Sequence, residues 1–408
     1  MKKILVLAST FPLSDDDPTP SFVRDQIVEL KKKYSNLEFI VLAPSYQNKK
    51  SSKSSYYKEN RFRYFFSKFE KLAGSGILPA LKKNYLYILI VPFFLMSQLI
   101  ATIKIAFRAK PDLIYAHWVM PQGLIALLCF KVTKIPFVFT NHAYDAEILT
   151  KLPFVGKLLL NSIVKNSKSF TFDSKNTEYK LKRVIKENNW KQEKSKIIPM
   201  GVNNNKFEST ESTKISEIDN DLDKFKVVFA GRFAEKKGVE SLIKAFTKLP
   251  EIHDEVVIFI CGTGTLINDY LNLIDKYNLS KNIKILEFFN DTGKLKYIYE
   301  IADLIVIPSI VTKDGDVEGL PVVLMEAIYF GNATLSSIQS NAGDIIINGK
   351  NGFLFDSDTN HELSKRIQDI FERKETLTKI KKEALKTSNN YLIEAVNFKF
   401  YEHLFKNI

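Results

Sequence analysis

Phe225-Lys-Val-Val-Phe-Ala-Gly231-Arg232-Phe-Ala-Glu-Lys-Lys237-Gly238-Val239 decides the fold of this chain. Its first six residues, apolar at every position but one, read as a strand buried on both faces, the type that parallel sheets use. A short loop with a glycine at each end follows, and then a segment of helical period, so the unit is strand, loop, helix. The same unit recurs in both directions. Lys3 to Leu7, Glu38 to Leu42, Asp112 to Tyr115, Pro136 to Thr140 and Ser169 to Phe172 are short apolar runs followed by helical segments such as Phe22 to Lys33 and Thr177 to Lys186. Glu255 to Ile260, Ile283 to Leu286 and Leu304 to Ile307 continue the series downstream. This alternation predicts an α/β protein of two Rossmann-like, doubly wound domains facing across a cleft. The expected boundaries are 1–200 and 201–390, with a linker near the polar stretch 203–223 and a C-terminal helix, 391–408, packed back on the first domain.

The 408 residues suit two or three domains at roughly 100 to 200 residues each. With 45% hydrophobic and 26% charged residues, a largely disordered or collagen-like chain is excluded. Two cysteines, Cys129 and Cys261, make neither a disulfide framework nor a zinc site and point to a reducing cytoplasm. The N-terminal apolar run breaks at Ser9, Thr10 and Pro12 without a cleavage signal, so it reads as a first strand and not as a secretory leader.

The net charge of +13 is concentrated. From Lys49 to Lys110 there are thirteen Lys or Arg against two acids, Glu59 and Glu70, with aromatics interleaved. An anionic bilayer surface or nucleic acid would suit such a stretch. Asn84 to Ile103 then supplies twenty uncharged, mostly apolar residues, interrupted by Pro92 and made amphipathic in its second half by Ser97, Gln98 and Thr102. A membrane span, a helix buried on the sheet, and a helix whose apolar face also meets lipid all fit this run. Peripheral contact of 49–110 with an anionic membrane is the expectation; no nucleic-acid motif accompanies the charge, and no nucleic-acid partner is expected.

Ligands of open α/β sheets bind beyond the carboxyl ends of the strands, so the loops there carry the chemistry. Arg232 and Lys237, five apart beside a helix start, suit a diphosphate: a guanidinium fork, a point charge and the helix dipole act together. A solvated turn is the plain alternative. After Leu304 to Ile307 comes Asp314-Gly-Asp-Val-Glu318-Gly319-Leu320-Pro321-Val-Val-Leu-Met-Glu326-Ala. Pro321 suits a first helical turn, whose free amides around Gly319, Leu320 and Val322 face the ligand. Glu318 precedes that helix and Glu326 lies inside it, where vicinal sugar or ribose hydroxyls would satisfy a carboxylate. An ion pair for Glu326 and a dipole-favouring acid at Glu318 is the structural alternative. Of five histidines, His117 and His142 follow strands of the first domain. Contact with an acceptor and a loop-fixing bond are both open for His117, and ligand contact is expected for His142. Asp314-Gly-Asp316 and Asp15-Asp-Asp17 do not terminate buried strands, and Arg232 and Lys237 bring the positive charge a metal would, so neither a metal nor a cofactor is expected.

Arg232, Lys237 and the Glu318/Glu326 pair, with Glu-Gly-Leu-Pro-Val-Val-Leu-Met-Glu-Ala between, resemble the signature of the family 4 glycosyltransferases, retaining enzymes of the GT-B fold. Ile198-Pro-Met-Gly-Val-Asn203-x-x-x-Phe207 is similar to the family's interdomain segment. Asp112-Leu-Ile-Tyr-Ala-His117-Trp-x-x-Pro-x-Gly123 and Thr140-Asn-His142-Ala-Tyr-Asp145 are similar to its acceptor-domain loops. Phe11-Pro12 with Pro20-Ser-Phe-Val-Arg-Asp-Gln26, and the His-Trp loop, resemble bacterial transferases that build capsule, exopolysaccharide or teichuronic-acid-like polymers. The resemblance implies that Arg232 and Lys237 bind the donor diphosphate, with Glu326 on the ribose and Glu318 on the transferred sugar. It places His142 beside that sugar, and Ser21, in the Pro20-Ser21-Phe22 turn, on the acceptor side. It further implies retention by same-face attack, a nucleoside-diphosphate sugar donor (uridine before guanosine) and a lipid-linked glycan acceptor at the cytoplasmic face of the plasma membrane. Ser21 stands where the family usually has Gly, Asn203 replaces Asp, and Met200 stands where Asn is frequent. A sugar-nucleotide epimerase of the same fold and a non-catalytic partner subunit are the other readings; the first lacks clear acid/base carboxylates, and the second would have lost Arg232, Lys237 or the glutamates.

Overall fold

The computed structural model describes the chain except for residues 15–16, 18, 47–52, 74–75, 143–148, 151–153, 288–290 and 358–359. It divides into two compact units, Met1–Pro199 with Val396–Ile408, and Met200–Ala395. The first is built on a seven-stranded sheet of β1 (Lys2–Leu7), β2 (Leu37–Pro44), β3 (Tyr57–Phe62), β4 (Leu113–His117), β5 (Phe137–Asn141), β6 (Phe170–Phe172) and β7 (Ser195–Ile197). Its order is β3-β2-β1-β4-β5-β6-β7, parallel throughout. The second holds six parallel strands, β8 (Phe225–Ala230), β9 (Val256–Cys261), β10 (Ile283–Leu286), β11 (Leu304–Ile307), β12 (Ala333–Ser337) and β13 (Phe353–Phe355), in the order β10-β9-β8-β11-β12-β13. Each is the Rossmann arrangement, with the order reversing beside the unit's first strand, β1 or β8. The central strands β4, β5, β9 and β11 are buried along their whole length, which is why they read as unbroken apolar runs.

Three expectations change. The stretch 203–223 is not a linker: Asn203 caps a helix at Asn204–Glu208, and Phe207, Ile215 and Ile218 are buried in the second unit's core. Phe207 packs edge-on to Phe330 at 5.0 Å, and Lys296 Nζ donates to the carbonyls of Phe207 and Thr210, each at 3.0 Å. Three apolar anchors spaced eight and three apart carry no period, so polar composition concealed them.

The basic stretch is partly architecture. Tyr57–Phe62 is edge strand β3, and the Arg61 guanidinium donates to the carbonyls of Phe11, Pro12 and Pro44 while pairing with Glu59. Lys58 pairs with Glu38 at 2.8 Å. Lys49 and Lys50 lie outside the described residues. The third change concerns Gln98 and Thr102, which are buried, while the more apolar stripe of their helix, Val91–Ala109, faces outward. At the C-terminus, Ile393–Phe400 and the turn Tyr401–Phe405 carry the chain onto the first unit, where Tyr401 stacks on Tyr34 at 3.8 Å and Phe405 meets Tyr115 at 5.3 Å.

Candidate active site

In the second unit the loops after β8 and β11 are joined. Gly238 has φ +70°, and a Cβ there would lie 1.8 Å from the Pro308 carbonyl oxygen, so only glycine lets the two loops approach this closely. The Ile310 amide donates to the Lys236 carbonyl at 3.0 Å. Two ion pairs complete the junction: Lys236 Nζ to Asp316 Oδ1 at 3.1 Å and Lys237 Nζ to Glu318 Oε2 at 2.9 Å. Burial alone would raise the Glu318 carboxyl, but Lys237, Lys236 and Arg232 outweigh it and hold it below the usual carboxylate range. Arg232 acts on Glu318 by charge alone, whereas Lys237 adds a hydrogen bond.

The loop leading into the next helix is also held. Asn341 Nδ2 donates to the carbonyls of Glu318, at 2.9 Å, and Gly319. Pro321 flanks the helix at φ −70° and ψ 130°, so the helix begins at Val322, one residue later than expected. Past Gly319 and Leu320, Glu326 accepts a 2.7 Å hydrogen bond from the buried Tyr299 hydroxyl, and burial followed by the Glu326 charge drives that phenol well upward. Asp314 and Asp316 close a turn around Gly315 (φ +85°), with Thr312 bonded to both, and Asp316 also faces Lys236. Asp15 and Asp16 lie outside the described residues.

The first unit has a cluster of another kind. His117 ends β4 and His142 follows β5, their rings parallel at 5.5 Å, with His117 Nδ1 3.2 Å from His142 Nε2. Burial, and secondarily His142, drives His117 well below the ordinary imidazole range, while burial pushes His142 down to about 3. Both rings are therefore neutral at neutral pH, and one N–H donates to the other ring's lone pair. Phe22 and Trp118 enclose His142 at 5.2 and 5.3 Å between ring centres. Trp118 sits at φ +76°, a strained value for a bulky residue, secured by its amide on the Thr140 carbonyl and by the Gly123 amide on its own carbonyl. Beneath His117, the Tyr115 hydroxyl meets Thr140 at 2.8 Å. Ser21 Oγ donates to Asp25 Oδ2 at 2.9 Å, so this hydroxyl is engaged within its own helix. Ala143, Tyr144 and Asp145 lie outside the described residues.

The geometry thus joins Arg232, Lys237, Glu318 and Gly319 in one set of loops, and His117 with His142 in another. Sequence reasoning missed Lys236, Asp316, Asn341 and Tyr299 as supports. Lys236 was signalled only by its neighbour Lys237, and Asn341, more than twenty residues downstream of the carbonyls it holds, had no local signal.

Two family models match the chain: Glycosyltransferase Family 4 over residues 36–206 and Glycosyl transferases group 1 over 211–387. The chain is a family 4 glycosyltransferase of the GT-B fold. This glycosyltransferase is 30% identical over 144 residues to WcaL of Salmonella typhimurium, a protein named for colanic acid biosynthesis. That match spans 35% of each chain, so this chain covers about a third of the length of the relative. Sucrose-phosphate synthase from Thermosynechococcus elongatus shares the fold at a TM-score of 0.77 and 16% identity, over the full length of both chains. Anabaena HepE, solved in complex with UDP-glucose, does so at 0.70 and 17%, again over both full lengths. In this glycosyltransferase the loops after β8 and β11 can offer cations and a carboxylate to one polyanionic, polyhydroxylated ligand, and the His117–His142 cluster can offer uncharged hydrogen-bonding atoms against an apolar wall.

Proposed function

We propose that this chain is a retaining glycosyltransferase that moves a hexose-type sugar from a nucleoside-diphosphate sugar, uridine before guanosine, to a lipid-linked glycan in bacterial surface polysaccharide synthesis, at the cytoplasmic face of the plasma membrane. The observation that carries this reading is the junction of the β8 and β11 loops, where Lys237 and Arg232 surround the carboxylate of Glu318. A diphosphate approaching Arg232 and Lys237 would draw Lys237 from Glu318, leaving that carboxylate to accept hydrogen bonds from the transferred sugar. Glu326, oriented by the Tyr299 hydroxyl, would accept from the ribose, and the amides of Gly319 and Leu320 would face the phosphates.

In the reaction the bond between the anomeric carbon and the diphosphate oxygen breaks. The acceptor oxygen bonds to the same face of that carbon, and its proton passes to the departing phosphate oxygen. Negative charge grows on the leaving group, so Arg232 and Lys237 stabilise the transition state more than the ground state. They supply the charge a metal would, and the transfer is proposed to be metal-independent. His142, neutral and held by His117, would hydrogen-bond a sugar hydroxyl without adding charge beside an oxocarbenium-like centre. HepE's complex with UDP-glucose supports a uridine nucleotide, and WcaL's name supports a polysaccharide product.

The test is thermal stabilisation of the purified chain by a panel of UDP- and GDP-sugars, followed by determination of the anomeric configuration of the product formed with the stabilising donor. Stabilisation by a UDP-sugar and a retained configuration are expected. Inversion, or stabilisation by none of the panel, would contradict the reading.

A further inference from the structure

Three helices of the first unit expose apolar side chains outward, and in one of them polar side chains face the core. In Val91–Ala109 the stripe turned to the core is Phe94, Gln98, Thr102 and Ala106, with an amide and a hydroxyl at its centre. The stripe turned outward is Phe93, Met96, Ile100, Lys104 and Phe107, at the three- and four-residue spacing of one helical face. A helix that meets water on its outer face has the opposite arrangement. Gln98 is fully buried, and neither side-chain polar atom has a hydrogen-bond partner among the described residues, while Thr102 turns back to the Gln98 carbonyl at 2.7 Å.

The exposed apolar surface, though not the inward polar stripe, continues across neighbouring elements. The turn Tyr85–Ile90, which leads into this helix, exposes Leu86, Ile88 and Leu89, the last at 69%. Helix Leu124–Thr133 packs against Val91–Ala109 and exposes Leu128 and Val132. Helix Val155–Asn166 packs against Leu124–Thr133 in turn and exposes Val155 and Leu158, with Phe154 at its start 82% exposed. The surface is therefore a three-helix face, far more than scattered apolar side chains. Its charge has one sign: segments 84–109, 119–133 and 154–166 hold Lys104, Arg108, Lys131, Lys157 and Lys165 and no Asp or Glu.

We infer that this face is a docking surface for an anionic bilayer, its apolar side chains seated at interfacial depth and its lysines and arginine among the headgroups. It sharpens the membrane part of the proposed function and does not rest on the donor chemistry. Charge complementarity selects this occupant, because a second copy placed symmetrically on the same face would set cations against cations. Tyr85–Ala109 is long and apolar enough to cross a membrane, but its inner stripe belongs to the fold. Phe94 packs edge-on to Phe62 at 5.2 Å and to Tyr64 at 5.0 Å, contacts that a spanning helix would abandon, so the helix lies along the surface. The anchor is thus the apolar face from Leu86 to Leu158, whose first helix is the C-terminal part of 49–110, and not the cations of β3, where Arg61 and Lys58 are already engaged by protein groups.

Sedimentation of the full chain with phosphatidylcholine vesicles, with and without phosphatidylglycerol, tests this. The native chain is expected to bind the phosphatidylglycerol vesicles and to keep part of that binding in high salt. The combined variant Ile88→Ser, Leu89→Ser and Phe107→Ser, all at exposed positions, is expected to lower binding about tenfold or more. Lys104→Gln with Lys131→Gln and Lys157→Gln is expected to remove the salt-dependent part alone. A second readout needs no loss of apolar surface: in Leu89→Trp, emission that brominated lipid quenches is expected. Native-like binding by the serine variant, an unquenched Leu89→Trp, or a lipid-free dimer that Phe107→Ser dissociates would each overturn the inference. Docking without sugar transfer would instead count against the proposed function, and transfer to a water-soluble acceptor without docking would overturn only this inference.

Discussion

The two units share a strand order and put opposite chemistry into their loops. Beyond β8 and β11 the second unit gathers charge: Lys236 on Asp316, Lys237 on Glu318, and Arg232 near enough to lower the same carboxyl. Beyond β4 and β5 the first unit gathers neutral rings, two imidazoles that burial keeps unprotonated beside Phe22 and Trp118. A Rossmann sheet therefore determines where a site lies and not what it does. In the proposed function, the charge would meet a leaving diphosphate and the neutral rings a sugar hydroxyl.

The largest effect expected from breaking this contrast follows loss of the cations. Lys237→Ala or Arg232→Ala should lower turnover by about a hundredfold or more with the fold retained, measured as sugar transfer beside the melting midpoint. Lys236→Ala, which removes the ion pair to Asp316 in the same junction, should cost far less. Next comes the contact between the loops. Gly238→Ala must move the β8 and β11 loops apart and adopt a strained backbone, so a loss of about 2 kcal/mol or more is expected in denaturant unfolding. The proposed function divides the donor between the glutamates: Glu318→Gln should lower turnover with affinity for the nucleoside diphosphate nearly unchanged, whereas Glu326→Gln should weaken that affinity about tenfold. Equal effects of the two on diphosphate affinity would merge roles that are separate here.

The remaining effect, on stability against pH, belongs to the neutral cluster. Because the folded pKa of His142 lies near 3 and its ordinary value near 6.5, the unfolded chain binds more protons between those limits. The stabilisation from neutral imidazoles is complete above about 6.5 and is lost as pH falls toward about 3. Melting midpoints should therefore drop from about pH 7 to about pH 4.5, and His142→Gln should flatten that slope.

How far the residues announced this organisation depended on burial. Strands such as β9 and β11, covered on both faces, show as continuous apolar runs, whereas edge strand β3 alternates exposed Lys58 and Asn60 with the more covered Tyr57, Glu59 and Arg61 and read only as part of a basic stretch suited to an anionic membrane. The loop cations and glutamates were legible because they follow such strands. Their pairing across eighty-one positions was not, since nothing local to Lys237 names Glu318. His117 and His142 were each placed at strand ends, but their mutual bond depends on the register of β4 with β5. The direction of the apolar stripe in Val91–Ala109 was likewise concealed, because composition gives its amphipathicity without saying which side meets the sheet.

The contrast between charged and neutral loops is tested most directly by calorimetric titration of UDP into the native chain, Lys237→Ala and His142→Ala. Affinity should fall about tenfold or more in Lys237→Ala and stay near the native value in His142→Ala. Undiminished affinity in Lys237→Ala together with its loss in His142→Ala would contradict the assignment of the diphosphate to the β8 and β11 loops.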